Sequence, residues 1–250
     1  MTAVLTLRRA TKRFGSVTVF ENVDFDVFEG EIVALIGPSG GGKSTLLRVM
    51  GGLEDLDAGA LTVTDGRRPA MAFQQAHLLP WLTVRDNVAL GLRFGANRGV
   101  AGADKVEEIL TLFGLSAHGG ARPAELSGGQ AQRVALARAA VVEPSVLLLD
   151  EPFAALDPAA RSALQTWLLE IRERLELTVV VVTHDVDEAL HVGDRVGLVA
   201  GVGSGITRVW PVDDHSHARL RTELLDTYTT DVTTASPRTR RVSTTGVETS

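Results

Sequence analysis

The sequence predicts an α/β fold with a parallel sheet that is covered on both faces. Three observations lead to this prediction. Short, fully apolar segments of strand length alternate with amphipathic segments of helical periodicity. A glycine-rich loop joins one of these strands to a helix. Hydrophobic residues make up 44% of the 250 residues, which is typical of a globular chain with a large core.

The composition excludes several classes of protein. The chain has no cysteine, so thiol nucleophiles, cysteine-ligated metals and disulfides are absent. The longest apolar runs, such as 32–36 and 179–182, are far shorter than the roughly 20 residues that span a bilayer. The N-terminus reaches Arg8 before an export signal can form, so we expect a cytoplasmic protein. The net charge of −6 disfavours a dedicated nucleic-acid binder.

The first part of the chain has the pattern of β structure. Residues 5–27 alternate as antiparallel strands do when one face is exposed, and they predict an N-terminal antiparallel β subdomain. Residues 32–36 predict a strand buried on both faces, followed by the glycine-rich loop and a helix over 43–50. Two short apolar runs, 61–63 and 71–73, flank an Asp-Gly pair and predict a hairpin.

The remainder of the chain is first helical and then alternating. Apolar residues at three- and four-residue spacing predict helices over 84–92, 104–113 and 128–142. Strands are then predicted at 146–149, 178–182 and 196–200, with helices at 158–175 and 186–192. Residues 229–250 are rich in Thr and Ser and predict a disordered tail, whose arginines fit a solvated patch as well as a binding patch.

The glycine-rich loop matches the phosphate-binding P-loop pattern between a strand and a helix. In such a loop, backbone N–H groups wrap the phosphates, Lys43 reaches the β- and γ-phosphates, and the Ser44 hydroxyl ligates Mg²⁺. A chance glycine-rich turn is the alternative, which the strand and helix context disfavours. The predicted phosphate site comprises Gly37, Pro38, Ser39, Gly40, Gly41, Gly42, Lys43, Ser44 and Thr45.

A second helix start has phosphate-binding features. The segment Leu126-Ser127-Gly128-Gly129-Gln130 places a hydroxyl and two glycines at the N-terminus of the helix predicted over 128–142. Taken alone, an ordinary serine N-cap is an equally good interpretation. Beside a P-loop, the segment indicates a second phosphate-binding position.

Acidic and imidazole side chains follow two of the predicted strands. Consecutive residues at a strand end diverge, so Asp150 can hold Mg²⁺ while Glu151 faces the attacking water as its general base. His184 follows another strand and lies at the same sheet edge, where ligands bind in open α/β folds. A lone histidine is more often structural, but this position favours a functional one.

In this order, the motifs resemble those of the ATP-binding cassette (ABC) family, specifically the nucleotide-binding subunit of a transporter. The resemblance covers about residues 3–210 and implies a RecA-like P-loop NTPase core with an inserted helical subdomain. It identifies Gln74 as the Q-loop glutamine, a catalytic residue and Mg²⁺ ligand, and Asp157 as the end of the D-loop. It further implies that residues 126–130 are the signature motif and that His184 is the switch histidine. Phe14 falls where the family stacks an aromatic on adenine, although a core Phe is the alternative.

The resemblance also implies partners and a domain division. ATP and Mg²⁺ are the expected cofactors, and a second copy of the chain closes its signature motif on the first copy's P-loop. Transmembrane permease subunits, and indirectly a solute-binding protein, are the other expected partners, at the inner face of the membrane. We expect one ATPase domain over 1–228, with the core and β subdomain at 1–74 and 144–228 and the helical subdomain at 75–143. The chain departs from the family pattern at residues 61–73, which form a shorter segment than is usual in the family and put the predicted hairpin in doubt.

Two other functions fit a P-loop and are weighed against transport. A soluble ABC ATPase acting on nucleic acid or ribosomes is disfavoured by the single cassette, the acidic balance and the short span between the P-loop and the signature motif. A small-molecule kinase is disfavoured by the signature motif and by Glu151 beside Asp150. Within transport, residues 73–88 are similar to bacterial importers of nitrate, sulfonates or taurine. Exposed Leu79, Pro80 and Trp81 would then receive a membrane subunit, although a core Trp is the alternative.

Overall fold

A computed structural model of the chain describes residues 2–64, 66–93, 103–213 and 217–234. The strands are β1 (Ala3–Phe14), β2 (Val17–Phe28), β3 (Ile32–Ile36), β4 (Ala58–Val63), β5 (Ala70–Ala72), β6 (Leu147–Asp150), β7 (Val179–Val182), β8 (Arg195–Val199) and β9 (Ile206–Pro211). The helices are α1 (Lys43–Met50), α2 (Val84–Arg93), α3 (Ala103–Leu112), α4 (Gly128–Ala140), α5 (Pro158–Leu175), α6 (Val186–Val192) and α7 (His217–Thr234). None of these helices is long and apolar enough to cross a membrane.

The main sheet has the strand order β5-β6-β7-β3-β8-β9, and every neighbouring pair is parallel except β8 and β9. Its central strands are apolar because helices cover one face and the N-terminal sheet with α1 covers the other. All residues of β3 and β7 are buried, as their uninterrupted apolar sequences predict. The predicted α/β class with a parallel sheet is confirmed.

The second sheet is antiparallel, with the order β2-β1-β4. It encloses, with α1 and one face of the main sheet, a core that includes Leu5, Phe20, Phe25, Leu35 and Leu47. The antiparallel structure predicted near the N-terminus is therefore present, and it packs on the strand that leads into the glycine-rich loop.

The hairpin predicted from 61–63 and 71–73 is wrong. β4 pairs with β1 in the antiparallel sheet, whereas β5 pairs with β6 in the main sheet and runs parallel to it. The two strands have different burial: β4 is mostly exposed, while β5 brings Ala72 into the main core. Gly66 thus lies in a connection between two sheets, and Asp65 lies outside the described residues.

The predicted start of the disordered tail is also wrong. Helix α7 continues to Thr234, so residues 229–234 are helical, and residues 235–250 lie outside the described part of the chain. Leu220 and Leu224, one turn apart, are buried in the main core, and the indole N–H of Trp210 donates to Glu223 at 3.0 Å. The Thr-rich composition of the segment concealed this helix, whose buried leucines are Leu220 and Leu224 among the side chains that the structure describes.

In the described residues, three α-helices and two 3-10 turns, Ser116–His118 and Pro123–Glu125, occupy the sequence between β5 and β6. Helices α2, α3 and α4 pack on one another and contribute apolar side chains to the same core as the main sheet. This arrangement agrees with an inserted helical segment. The predicted division into subdomains at 75 and 143 remains a prediction.

Candidate functional site

The glycine-rich loop lies at the carboxyl end of β3 and leads directly into α1. Gly40 and Gly42 have φ angles of 77° and 96°, in the left-handed region that favours glycine. A Cβ added to Gly37 would lie 2.2 Å from the carbonyl oxygen of Val199, and one added to Gly42 would lie 2.8 Å from a methyl of Val19. Side chains are therefore excluded at Gly37 and Gly42, and glycines in such a loop allow backbone N–H groups to approach an anion closely.

Lys43, the first residue of α1, turns back over the loop. Its Nζ donates to the carbonyl oxygens of Gly37 at 2.7 Å and Pro38 at 3.0 Å, and the residue is only 5% exposed. Burial lowers the pKa of Lys43, whereas the negative charges of Glu151 and Asp150 raise it. The ammonium group is thus held over the position where phosphates bind in a P-loop.

Ser44, in the first turn of α1, lies next to Asp150, the last residue of β6, at the edge of the sheet. The Ser44 hydroxyl donates to Asp150 Oδ1 at 2.9 Å. Burial raises the pKa of Asp150; the Ser44 hydrogen bond lowers it, and the neighbouring Glu151 raises it. A hydroxyl and a carboxylate side by side supply oxygen ligands that suit Mg²⁺. This ion usually takes few ligands from the protein and the others from phosphates and water.

Glu151, which follows Asp150, contacts His184. Its φ of 47° is in the left-handed region, and its backbone N–H donates to the carbonyl of Val182 at 2.9 Å. Its Oε2 lies 3.3 Å from Nδ1 of His184, the second residue beyond β7. The structure thus brings together Asp150, Glu151 and His184, and it gives the two carboxylates different surroundings.

A cavity of about 310 Å³ lies above the P-loop. It is lined by Val17, Val19, Ser39, Gly40, Gly42, Lys43, Ser44, Thr45, Glu151 and Val202. Phe14 pairs with Val17 across β1 and β2, next to this cavity. It is 49% exposed, and the ammonium of Lys12 lies 4.9 Å from its ring centroid. A core role for Phe14 is therefore excluded, while stacking on adenine stays a prediction.

The second predicted phosphate position lies elsewhere on the chain. Ser127 is the N-cap of α4: its hydroxyl accepts from the Gln130 backbone N–H at 3.3 Å, and its own N–H donates to Gln130 Oε1 at 2.8 Å. Both Ser127 and Gly128 are exposed, and none of residues 126–130 lines the cavity over the P-loop. The two predicted phosphate positions therefore lie apart on the chain.

The signature motif lies beside the predicted D-loop. A Cβ added to Gly128 would lie 3.3 Å from Leu156, and one added to Gly129 would lie 3.9 Å from Ala160. Asp157, between them in sequence, is the N-cap of α5, and its Oδ1 accepts from the N–H groups of Ala159 and Ala160 at 3.0 Å. The structure thus gives Asp157 a capping role, and its contact with nucleotide remains a prediction.

Gln74 lies two residues beyond the end of β5 and is exposed. Ala72 is in register with Leu149, so Gln74 leaves the sheet at the same edge as Glu151. This placement is compatible with the predicted role of Gln74 beside Mg²⁺, which remains a prediction.

Sequence reasoning missed a buried polar group behind His184. Glu188 is 7% exposed, and its Oε2 accepts from the Thr183 hydroxyl at 2.5 Å. Arg161, in the first turn of α5, has its Nε 3.4 Å from the other carboxylate oxygen. Burial raises the pKa of Glu188. The signal in the sequence was weak, because Glu188 lies in a short helix beside other acidic residues, Asp185 and Asp187.

Comparison with known proteins agrees with this geometry. A family model described as ABC transporter matches residues 20–154. The sulfate/thiosulfate import ATP-binding protein CysA of Nocardia farcinica is 44% identical over 205 residues, which are 78% of this chain and 62% of that protein. The aliphatic sulfonates import ATP-binding protein SsuB 2 of Rhodococcus jostii is 48% identical over 196 residues, 78% of each chain. The chain thus spans about three fifths of the length of the CysA relatives.

A solved structure has the same fold. It is a dimeric, post-hydrolysis state of the ATP-binding cassette MJ0796 bound to ADP and Pi, with a TM-score of 0.68 and 31% sequence identity. The match covers 84% of this chain and 99% of that one. Together with the P-loop, the paired carboxylates and the separate signature helix, these similarities establish that the chain belongs to the ABC transporter family, as an ATP-binding domain.

Proposed function

We propose that the chain binds and hydrolyses ATP and thereby energises a membrane importer of small oxyanions. The observation that supports this most strongly is the convergence of the Ser44–Asp150 pair and the Glu151–His184 pair at one sheet edge above the P-loop. The relatives are named for sulfate, thiosulfate and aliphatic sulfonates, so we favour these anions as cargo. Nitrate and taurine, expected from the sequence, have no support from these names.

In this proposal, each side chain of the site has a distinct task. Ser44, Asp150 and Gln74 would hold Mg²⁺, which neutralises phosphate charge when it is bound. Lys43 exchanges its bonds to the loop carbonyls for bonds to phosphate oxygens. Glu151 accepts the proton of the attacking water, and His184, 3.3 Å away, orients that carboxylate and contacts the γ-phosphate.

The two half-sites of the chain imply a head-to-tail dimer. In it, Ser127, Gly128 and Gly129 of one copy close on ATP that the P-loop of the other copy holds. Support comes from the exposure of the signature segment and from the dimeric state of the MJ0796 structure. The backbone N–H groups at the start of α4 are the donors that such a contact requires.

We also propose that residues 79–81 receive a permease subunit at the inner face of the membrane. Trp81 is 66% exposed, and its loop is held in place by the fully buried Asn87. The Asn87 side chain accepts from the Leu79 N–H at 2.8 Å and donates to the Leu79 and Thr83 carbonyls. A rigidly presented aromatic is typical of an interface anchor. A solute-binding protein would act through that permease.

We expect the specific ATPase activity of the isolated chain to rise with protein concentration. Each site needs residues from two copies, and nothing tethers the copies together. Initial rates measured over a range in which sedimentation shows mostly monomer test this expectation. A specific activity that stays constant over that range would contradict the shared site.

Phe14→Ala is expected to weaken ATP binding by about 10-fold, since stacking of a base on an aromatic side chain contributes roughly 1–3 kcal/mol. The melting temperature should not change, because Phe14 is half exposed. Trp81→Ala, which removes another exposed aromatic, is the matched control and should leave ATP affinity unchanged. A drop in melting temperature with unchanged affinity would show that Phe14 stabilises the sheet instead.

A further inference from the structure

The amide of Gln130 has one defined orientation. Its Oε1 accepts from the Ser127 backbone N–H at 2.8 Å, so its Nε2 must face the other way. There it lies 3.0 Å from Nε2 of His118. An amide nitrogen can only donate, and the histidine nitrogen is therefore the acceptor.

This bond determines the tautomer of the His118 ring. An accepting Nε2 places the ring proton of a neutral imidazole on Nδ1. Within the described residues, Nδ1 of His118 is buried and has no hydrogen-bond partner. In the Nε2-protonated tautomer, or in a doubly protonated ring, the Nε2–H of His118 would face the donating amide nitrogen of Gln130 at 3.0 Å. In the described part of the chain, Nε2 of His118 is therefore the acceptor for Gln130, and Nδ1 has no hydrogen-bond partner.

The backbone around His118 is anchored to the start of α2. The carbonyl oxygen of Gly119 accepts from the Arg85 N–H at 3.0 Å, and that of Ala121 accepts from the Val84 N–H at 2.8 Å. The same first turn of α2 contains Asn87, whose side chain holds the loop of residues 79–83. A continuous set of hydrogen bonds therefore runs from the Trp81 loop, through His118, to the first turn of α4.

We propose that His118 is a positioning residue for the signature motif. Its neutral imidazole holds the Gln130 amide, which in turn fixes the Ser127 backbone and the N-terminus of α4. The exposed N–H groups of that turn are then ordered before they meet the phosphate bound by a partner copy. This proposal rests on the proposed shared-site dimer. His118 lies nine positions before Ser127 and belongs to none of the sequence motifs.

The expected effect is on dimer formation and not on the P-loop of the same chain. A neutral hydrogen bond changes an equilibrium by about 2- to 12-fold. Without the bond, each copy must order the first turn of α4 as the dimer forms, so a symmetric dimer bears this cost twice and its Kd should rise by about 5-fold or more. ATP binding to the isolated P-loop and the melting temperature should stay nearly constant.

The test uses His118→Phe in a Glu151→Gln background, with ATP and Mg²⁺, and sedimentation to measure the dimer Kd. His118→Gln offers a carbonyl acceptor and should restore much of the affinity. His191→Phe, at an exposed histidine in the last turn of α6, is the matched control and should leave the Kd unchanged. Nitrogen-15 NMR of the unsubstituted chain should show His118 as the neutral Nδ1-protonated tautomer.

Two outcomes would overturn the proposal, and they differ from failure of the proposed function. If Glu151→Gln dimerises with ATP and His118→Phe does not weaken that dimer, His118 has no positioning role. An Nε2-protonated ring in the NMR spectrum would exclude the hydrogen bond whether or not the variant folds. If Glu151→Gln itself fails to dimerise, the shared-site dimer is wrong, and the role of His118 falls with it.

Discussion

Glu151→Gln is expected to lower the rate of ATP hydrolysis by about 10²- to 10⁴-fold, the usual contribution of a general base. Gln has nearly the same shape as Glu and can keep the contact with His184, but it cannot accept a proton near neutral pH. The Ser44–Asp150 pair and the P-loop are untouched, so ATP should still bind. Single-turnover hydrolysis and equilibrium ATP binding measure the two effects separately.

A matched control for this variant is Glu176→Gln. Glu176 is an exposed glutamate whose φ of 49° resembles the 47° of Glu151, but it caps the far end of α5. Its substitution should leave hydrolysis unchanged. Retained turnover in Glu151→Gln would assign the base elsewhere, and His184 would be the next candidate because it lies 3.3 Å from the carboxylate.

Asp150→Asn is expected to lower Mg²⁺-dependent hydrolysis by roughly 10²-fold or more, since a bound metal ion supplies several kcal/mol of charge stabilisation in the transition state. Asn keeps an oxygen that can accept from the Ser44 hydroxyl, so the local structure should persist. ATP binding without Mg²⁺ should change little. The gain in ATP affinity on adding Mg²⁺ should be largely lost, which titrations with and without the ion measure.

The same substitution should raise the melting temperature of the free chain at neutral pH. Burial raises the pKa of Asp150, so the ionised carboxylate is less favourable in the folded chain than in the unfolded one. The advantage of Asn should disappear as the pH falls through this raised pKa, because the wild-type carboxyl then becomes neutral. Lower stability of Asp150→Asn at neutral pH, with unchanged Mg²⁺ dependence, would contradict this account of the site.

The parts of the site that follow one continuous segment could be predicted from the sequence. Residues 32–50 contain a buried strand, a glycine loop and a helix in direct succession, and each element has its own local signal. The placement of Asp150, Glu151 and His184 at one edge followed from a general property of parallel sheets, whose carboxyl ends lie together. The structure confirms this juxtaposition.

The remaining features depend on contacts between distant segments. β4 and β5 have similar apolar runs, and only their partners, β1 and β6, separate them into two sheets. Helix α7 packs through Leu220 and Leu224 and is bonded to Trp210 of β9. The two leucines do not stand out within a Thr-rich segment. The bond between His118 and Gln130 joins the 3-10 turn Ser116–His118 to the start of α4, so no local pattern indicates it.

The most direct test of the shared site is the mass of Glu151→Gln in solution with and without ATP. A shared site predicts a species with twice the mass of the 26.6 kDa chain when ATP is present and a monomer when ATP is absent. Adding Ser127→Arg, which places a long side chain where the backbone must approach the γ-phosphate, should abolish the dimer while each chain still binds ATP. A stalled, ATP-bound Glu151→Gln that remains monomeric would contradict the shared site and leave only ATP binding by a single chain.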